Sequence, residues 1–165
     1  MCDRMFHVLF LCTGNSARSI MAEVLMNQLG QGKFLAHSAG SHPRGSVHPL
    51  AIETLQGMHL PVDGLRSKSW EEFAGPDAPP LDFLFTVCDD AAAEVCPVWP
   101  GAPMTAHWGV EDPAAFTGTE AAQRQKFLEV ALLLRRHIEL FINLPTATLS
   151  SMTMRAKPHA MEQDQ

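Results

Sequence analysis

Cys12 and Arg18 are the pair of residues in this chain best placed to do chemistry on an anion. They bound the stretch CTGNSAR, and a short apolar run precedes the cysteine. A loop between a strand and a helix gathers amide N–H groups and the positive end of the helix dipole, which stabilise a thiolate or a bound oxyanion. The arginine adds a planar fork that binds two oxygens of a phosphate-like group. The spacing therefore predicts a nucleophilic cysteine beneath a tetrahedral oxyanion.

The other residues of this stretch fit the same interpretation. Gly14 permits a tight curve, Asn15 tolerates a positive φ and can tie the loop with its side chain, and Ser19 can donate to the thiolate. We expect the oxyanion to be bound by the residues that follow the cysteine, namely Thr13, Gly14, Asn15, Ser16, Ala17, Arg18 and Ser19. The alternative is an ordinary strand–turn–helix connection in which Cys12 is a small buried hydrophobe.

Two further cysteines, Cys88 and Cys96, flank the acidic and alanine-rich segment 89–95. As a regular helix this segment would hold their Cα atoms about 12 Å apart, whereas a disulfide needs about 7 Å or less. A bond between them would therefore require the segment to unwind, and two unrelated thiols remain the alternative. Zinc binding by these cysteines and His107 is disfavoured, because the chain has no Cys-x-x-Cys pair.

An aspartate followed by a proline, Asp112-Pro113, comes shortly after a predicted strand. The proline restricts the backbone of Asp112, so its carboxyl group could act as a general acid over the oxyanion. A simple turn-forming Asp-Pro is the alternative, and Glu111 is a weaker candidate for the same role. We expect His107 to be a structural histidine at a strand end.

Composition limits the classes of function. The chain has 165 residues, 46% of them hydrophobic, and a net charge of −6, which disfavours a nucleic-acid-binding face. An anion must therefore be attracted locally, by Arg18 and backbone N–H groups. No apolar run approaches the roughly 20 residues that span a membrane, and the N-terminal run lacks the features of a signal peptide. We expect a cytoplasmic protein, whose cysteines are catalytic or redox-active rather than structural.

Alternating apolar runs and helical patterns predict an α/β fold with a doubly wound parallel sheet. We expect one domain over 1–144 and a loosely ordered tail over 145–165. Strands are predicted at 6–11, 33–38, 81–87 and 104–108, and helices at 18–29, 49–58, 70–73, 89–95 and 120–140. Cys12, Ser38, Cys88 and His107 then share the rim where the strands end.

Taken together, these motifs resemble the low-molecular-weight phosphatase fold and, more narrowly, its cysteine-relay arsenate reductases. The resemblance extends from about Val8 to Leu144. It is carried by CTGNSARSIMAE from Cys12, by Ser38-Ala39-Gly40, by VCD and CP around Cys88 and Cys96, and by HWG with Asp112-Pro113. It implies a four-stranded parallel sheet in the order 2-1-3-4, with helices on both faces.

The resemblance also implies a reaction. Cys12 attacks arsenate held by Arg18 and the loop amides, while Asp112 assists the loss of water or hydroxide. Cys88 then attacks Cys12, releasing arsenite and leaving a transient Cys12–Cys88 disulfide, and Cys96 converts it to Cys88–Cys96. Thioredoxin, glutathione with glutaredoxin, or mycothiol would reduce that disulfide without a bound cofactor, in arsenic detoxification. Phosphate or sulfate could also occupy the loop.

The chain departs from the family pattern at several positions. Ala17 and a longer Cys88–Cys96 spacing distinguish it from the best-known thioredoxin-linked members. Those members can bind potassium through residues matching Asn15, Glu23 and Ser38, but Trp70 stands at the matching acidic position, so we predict no metal site.

Two alternatives to arsenate reduction remain. One is a low-molecular-weight protein tyrosine phosphatase, although Ala114 follows Asp112-Pro113 where such phosphatases usually have an aromatic residue, and the chain has no tyrosine. The other is a non-catalytic oxyanion or redox sensor, in which Cys88 and Cys96 would report oxidation to a partner.

Overall fold

The computed structural model describes residues 5–75, 77–87 and 103–155. Its core is a parallel sheet of four strands in the order β2-β1-β3-β4, the order expected from the sequence. The strands are β1 (Phe6–Cys12), β2 (Phe34–Gly40), β3 (Phe83–Thr86) and β4 (Met104–His107). The fold class predicted from the sequence, a doubly wound α/β domain, is confirmed.

Four α-helices accompany these strands in the described part of the chain. They are α1 (Arg18–Leu29), α2 (Pro49–Gly57), α3 (Glu120–Ile142) and α4 (Thr146–Arg155), with short 3₁₀ helices at Trp70–Phe73 and Pro113–Ala115. The predicted bounds of α1 and of the first 3₁₀ helix agree with the structure, and the other predicted elements that the structure describes differ by at most two residues at either end. The predicted helix 89–95 lies outside the described residues.

Aromatic packing holds helices against one face of the sheet. Phe83 and Phe85 of β3 meet the ring of Phe141 from α3 edge-on, with ring centroids 4.8 and 5.1 Å apart. At β2, Asn27 of α1 both donates to and accepts from the backbone of Ala36, at 3.1 and 2.8 Å. These contacts fix α1, and with it the loop that precedes it, relative to the sheet.

The sheet register sets where the functional loop leaves the core. Cys12 pairs with Gly40 across β1 and β2, and the amide of Val87 donates to the carbonyl of Leu11 at 2.9 Å. A Cβ atom on Gly40 would lie 2.5 Å from the carbonyl oxygen of Thr13, so only glycine allows this close approach. The carboxyl ends of three strands therefore meet beside Cys12.

The expectation of a loosely ordered tail is wrong for Thr146–Arg155, which form α4. Leu149 is fully buried, and its amide donates to the carbonyl of Pro145 at 3.0 Å. Serine and threonine are weak helix formers and give little periodicity, so docking of one leucine rather than local propensity stabilises this helix. Residues 156–165 of the tail lie outside the described residues.

Within the described residues, no helix is both long enough and apolar enough to cross a membrane.

Candidate active site

A cavity of about 270 Å³ opens where β1 ends and α1 begins. It brings together three residues that the sequence singled out for chemistry, Cys12, Arg18 and Asp112. The full lining is Cys12, Thr13, Gly14, Ser16, Ala17, Arg18, His42, Arg44, Asp112 and Ala114.

Cys12 is the last residue of β1 and is only 5% exposed. It is the one cysteine among the described residues, and it carries a thiol rather than a disulfide. Helix α1 starts at Arg18 after Ala17, and no side chain caps its first amides. Uncapped amides at a helix N-terminus are natural donors to an anion, and the helix dipole favours negative charge there.

The carbonyl groups of the loop are bonded to the segments that surround it. The oxygens of Thr13, Gly14 and Ser16 accept hydrogen bonds at 2.9 Å from the amides of His42, Arg44 and His48, respectively. The hydroxyl of Ser67 also donates to the oxygen of Gly14, at 3.1 Å. Since these carbonyls are held on the outer side, the concave side remains for N–H groups, as in an anion-binding nest.

Asn15 fixes the curvature of the loop. It is fully buried and has a φ of 43°, a conformation that asparagine tolerates better than most residues. Its Nδ2 donates to Ser19 Oγ at 2.8 Å, and its Oδ1 accepts from the amide of Lys68 at 2.8 Å. The structure therefore confirms the positive φ and the side-chain tie expected for Asn15. Ser19 accepts this bond, so its own hydroxyl proton can be donated elsewhere.

Arg18 connects the loop to the segment after β4. Its Nη1 donates to the carbonyl oxygen of Val110 at 2.9 Å, and its Nη2 lies 3.7 Å from Oδ2 of Asp112. The other carboxylate oxygen of Asp112 accepts from the amide of Ala114 at 3.0 Å and caps the 3₁₀ helix that starts at Pro113. Two anchors thus fix the carboxyl group of Asp112 at the cavity wall.

Two other residues considered from the sequence lie elsewhere. Glu111 is exposed, forms an ion pair with Lys126 at 3.1 Å and does not line the cavity. His107 lies at the end of β4, with Nδ1 2.7 Å from the hydroxyl of Thr86, as expected of a structural histidine. Cys88 and Cys96, the other predicted relay residues, lie outside the described residues.

A partly buried ion pair, between Glu23 and Lys68, lies behind the loop. Glu23 accepts a hydrogen bond from the hydroxyl of Ser38 at 2.5 Å, and the Nζ of Lys68 is 3.8 Å from its Oε1. The side chain of Lys68 is only 9% exposed. Burial lowers the pKa of Lys68, and the charge of Glu23 opposes that shift. Of the three residues matched to a potassium site in the family, Glu23 thus faces an ammonium group supplied by the chain itself.

The sequence interpretation missed Lys68 and the segment that carries His42, Arg44 and His48. Burial lowers the pKa of His48, with opposite contributions from Asp112, which raises it, and Arg44, which lowers it. The sequence signal that could have revealed this segment was the predicted placement of Cys12 and Ser38 at one rim of the sheet. In the structure, Cys12 pairs with Gly40 at that rim. Residues that follow Gly40 must leave the sheet next to the residues that follow Cys12.

Comparison with known proteins places this geometry in a family. The sequence model for low molecular weight phosphotyrosine protein phosphatases matches residues 7–151. The arsenate reductase of Oceanobacillus iheyensis is 33% identical over 134 residues, covering 81% of this chain and 93% of that protein. The arsenate reductase of Bacillus subtilis is 34% identical over 113 residues, covering 68% of this chain and 78% of that protein.

A solved structure of an arsenate reductase in the phosphate-binding state superposes with a TM-score of 0.68 at 28% identity. The match covers 84% of this chain and 97% of that one. The fold, the loop and these relatives agree, and the chain belongs to the low molecular weight phosphotyrosine protein phosphatase family, as a relative of its arsenate reductases.

Proposed function

We propose that this protein reduces arsenate to arsenite in the cytoplasm, using Cys12 as nucleophile and Cys88 and Cys96 as a thiol relay. The observation that carries the proposal is the position of the Cys12 thiol, at the floor of a cavity walled by Arg18, Asp112 and the uncapped start of α1. The names of the relatives support arsenate as the oxyanion.

The first step forms a bond between sulfur and arsenic. The Cys12 thiolate attacks the arsenic of arsenate while Arg18 and the loop amides hold its oxygens. Asp112 donates a proton to the departing oxygen, which leaves as water. The product is a thioester of arsenic(V) on Cys12, and no electron pair has yet been transferred to arsenic.

The second step reduces arsenic. The Cys88 thiolate attacks the sulfur of Cys12, the electron pair of the sulfur–arsenic bond passes to arsenic, and arsenite leaves. Sheet register supports this step, since the amide of Val87 donates to the carbonyl of Leu11, and Cys88 and Cys12 are the residues that follow these two in the sequence.

The relay then restores the nucleophile. Cys96 attacks Cys88 of the Cys12–Cys88 disulfide, which frees the Cys12 thiolate and leaves a Cys88–Cys96 disulfide. Two electrons from an external thiol reductant return this disulfide to thiols. Thioredoxin, glutathione with glutaredoxin, and mycothiol are the candidate reductants. Arsenate and two thiols are thereby converted to arsenite, a disulfide and water.

Hydrolysis of an aryl phosphate ester is the second candidate activity. The family match favours it, and it needs only Cys12, Arg18 and Asp112. The two activities separate at Cys88, which reduction requires and hydrolysis does not.

The test compares serine variants of all four cysteines. Arsenate turnover is measured with the thioredoxin system and with glutathione plus glutaredoxin, and aryl phosphate hydrolysis is measured in parallel. Cys12→Ser should abolish both activities, and Cys88→Ser should abolish arsenate turnover while sparing hydrolysis.

Cys2→Ser serves as the matched control, since Cys2 has no role in the relay and its variant should retain both activities. Arsenate turnover that survives Cys88→Ser would refute the relay. Phosphate ester hydrolysis with no arsenate turnover under any reductant would favour the phosphatase.

A further inference from the structure

Arg44 lies across the loop that carries the candidate nucleophile. Its amide donates to the carbonyl of Gly14 at 2.9 Å, and the neighbouring amide of Gly45 donates to the hydroxyl of Ser67 at 3.1 Å. A Cβ atom added to Gly14 would lie 3.0 Å from Nε and 3.2 Å from Cγ of Arg44. The side chain therefore packs along the loop, and it lines the same cavity as Cys12.

The guanidinium of Arg44 is exposed and has no hydrogen bond or ion pair with any residue in the described ranges. Three other exposed arginines among the described residues, Arg66, Arg124 and Arg135, bind carboxylates. Arg66 forms a two-pronged contact with Glu72 at 2.6 and 2.9 Å, and Arg124 binds Glu53 at 2.9 Å. At the mouth of this cavity, an arginine thus presents its donors to solvent.

The charges around the cavity make Arg44 important for attracting an anion. Arg18 lies next to Asp112, so their opposite charges partly offset each other. Arg44 is the other arginine among the lining residues. With a net charge of −6, the protein as a whole repels an approaching dianion. A positive charge at the mouth is therefore needed to reverse the local sign.

We propose that Arg44 is an outer oxyanion-binding residue, whose guanidinium captures a tetrahedral dianion at the cavity mouth and holds its outward oxygens after it reaches the loop. Arg18 and the loop amides bind the inner side of the same anion. The ligand class is the arsenate or phosphate dianion. Identifying arsenate as the anion that turns over rests on the proposed function, but binding at Arg44 does not.

The proposal is tested with Arg44→Gln, using inorganic phosphate as the probe and isothermal titration calorimetry as the measurement. At low salt we expect the Kd for phosphate to rise about fivefold or more, because a charge near a dianion is lost. At about 1 M sodium chloride the difference should largely vanish, since screening then acts within about 3 Å. Arg44→Lys, which keeps the charge but not the fork, should lie between the two proteins.

Arg66→Gln is the matched control, because it removes another exposed guanidinium that does not line the cavity, and it should change the Kd by less than about twofold. In arsenate turnover, Arg44→Gln should raise KM while kcat stays within about twofold.

Unchanged phosphate binding in Arg44→Gln at low salt would overturn the proposal, and so would an equal loss in Arg66→Gln. Phosphate binding is measured without a reductant, so a failure of arsenate reduction leaves this result readable. Thermal unfolding of each variant verifies that it is folded.

Discussion

Nη2 of Arg18 lies 3.7 Å from Oδ2 of Asp112, so a residue at the start of α1 faces a residue from the loop after β4. The contact joins two segments that are far apart in sequence at the cavity wall. It orients the carboxyl group over the space above Cys12, while the remaining donors of the guanidinium can bind a ligand. The pair is therefore the centre of the proposed acid catalysis.

Replacing Asp112 with asparagine should separate its role as an acid catalyst from its role in capping the 3₁₀ helix at Pro113. The asparagine oxygen can still accept from the amide of Ala114, as Asp112 does at 3.0 Å, but the side chain cannot donate an acidic proton. We expect kcat for arsenate to fall about a hundredfold, with phosphate affinity nearly kept. Glu111→Gln, which alters the neighbouring exposed carboxylate, should leave kcat unchanged, and equal losses in both variants would contradict the role of Asp112.

Substitutions at Asn15 should distinguish how much its side-chain hydrogen bonds and its backbone conformation each contribute to stability. Asn15→Gly preserves access to the φ of 43° but removes two buried hydrogen bonds, and we expect a loss of about 2 kcal/mol in the free energy of unfolding. Asn15→Ala should cost about 1 kcal/mol more, because alanine is strained at this φ. Urea unfolding measures both. Equal stability of the two variants would mean that the backbone conformation does not constrain this position.

Removing the ammonium of Lys68 should leave Glu23 without its buried counter-charge. We expect Lys68→Met to lower the free energy of unfolding by about 2 to 3 kcal/mol, because an unpaired buried carboxylate remains. Adding Glu23→Gln should restore most of that loss. A double variant no more stable than Lys68→Met would show that packing of the lysine stem, and not the charge, is responsible.

Stability should fall in mild acid because of His37. Burial, followed by the charges of His7 and Lys68, lowers its pKa from 6.5 to about 4. The ring stacks on His7 at 5.8 Å and contacts Phe73 at 5.2 Å. Above pH 6.5 neither folded nor unfolded chain protonates this residue, so it adds no pH dependence.

Between pH 6.5 and about 4 the unfolded chain takes up a proton that the folded chain does not, so stability declines as pH falls. Because the ring is only partly buried and solvent screens its charge, we expect the full effect to be about 1 to 2 kcal/mol. Urea unfolding across this pH range should show the decline in the natural protein and a flatter profile in His37→Gln. Substituting the exposed His59 by asparagine should leave the slope unaltered, and a flat profile in the natural protein would refute the prediction.

The parts that sequence predicted best are those determined locally. The spacing of apolar residues in α1 and the continuous apolar run of β1 are visible in short stretches of sequence. The bounds of both elements were predicted to within one residue. The Cys12–Arg18 spacing likewise predicted a loop between a strand and a helix, and in the structure this loop lines the cavity.

The parts that sequence missed depend on distant contacts. Helix α4 is stabilised by the burial of Leu149, not by its own propensities. Lys68 and Arg44 look like ordinary surface cations in the sequence, and only the pairing of β1 with β2 and the return of the chain at 67–68 bring them to the loop. Their roles could not be read from spacing alone.

Because the loop is hydrogen-bonded to residues outside it, the site depends on more of the chain than the motif CTGNSAR. The curvature of CTGNSAR is held by amides of His42, Arg44, His48 and Lys68. Grafting these seven residues onto another strand and helix would transfer the nucleophile without the hydrogen bonds that shape its loop. Relatives can therefore keep every residue of the motif and still lose the activity through substitutions in the segment 42–68, which lies outside the motif.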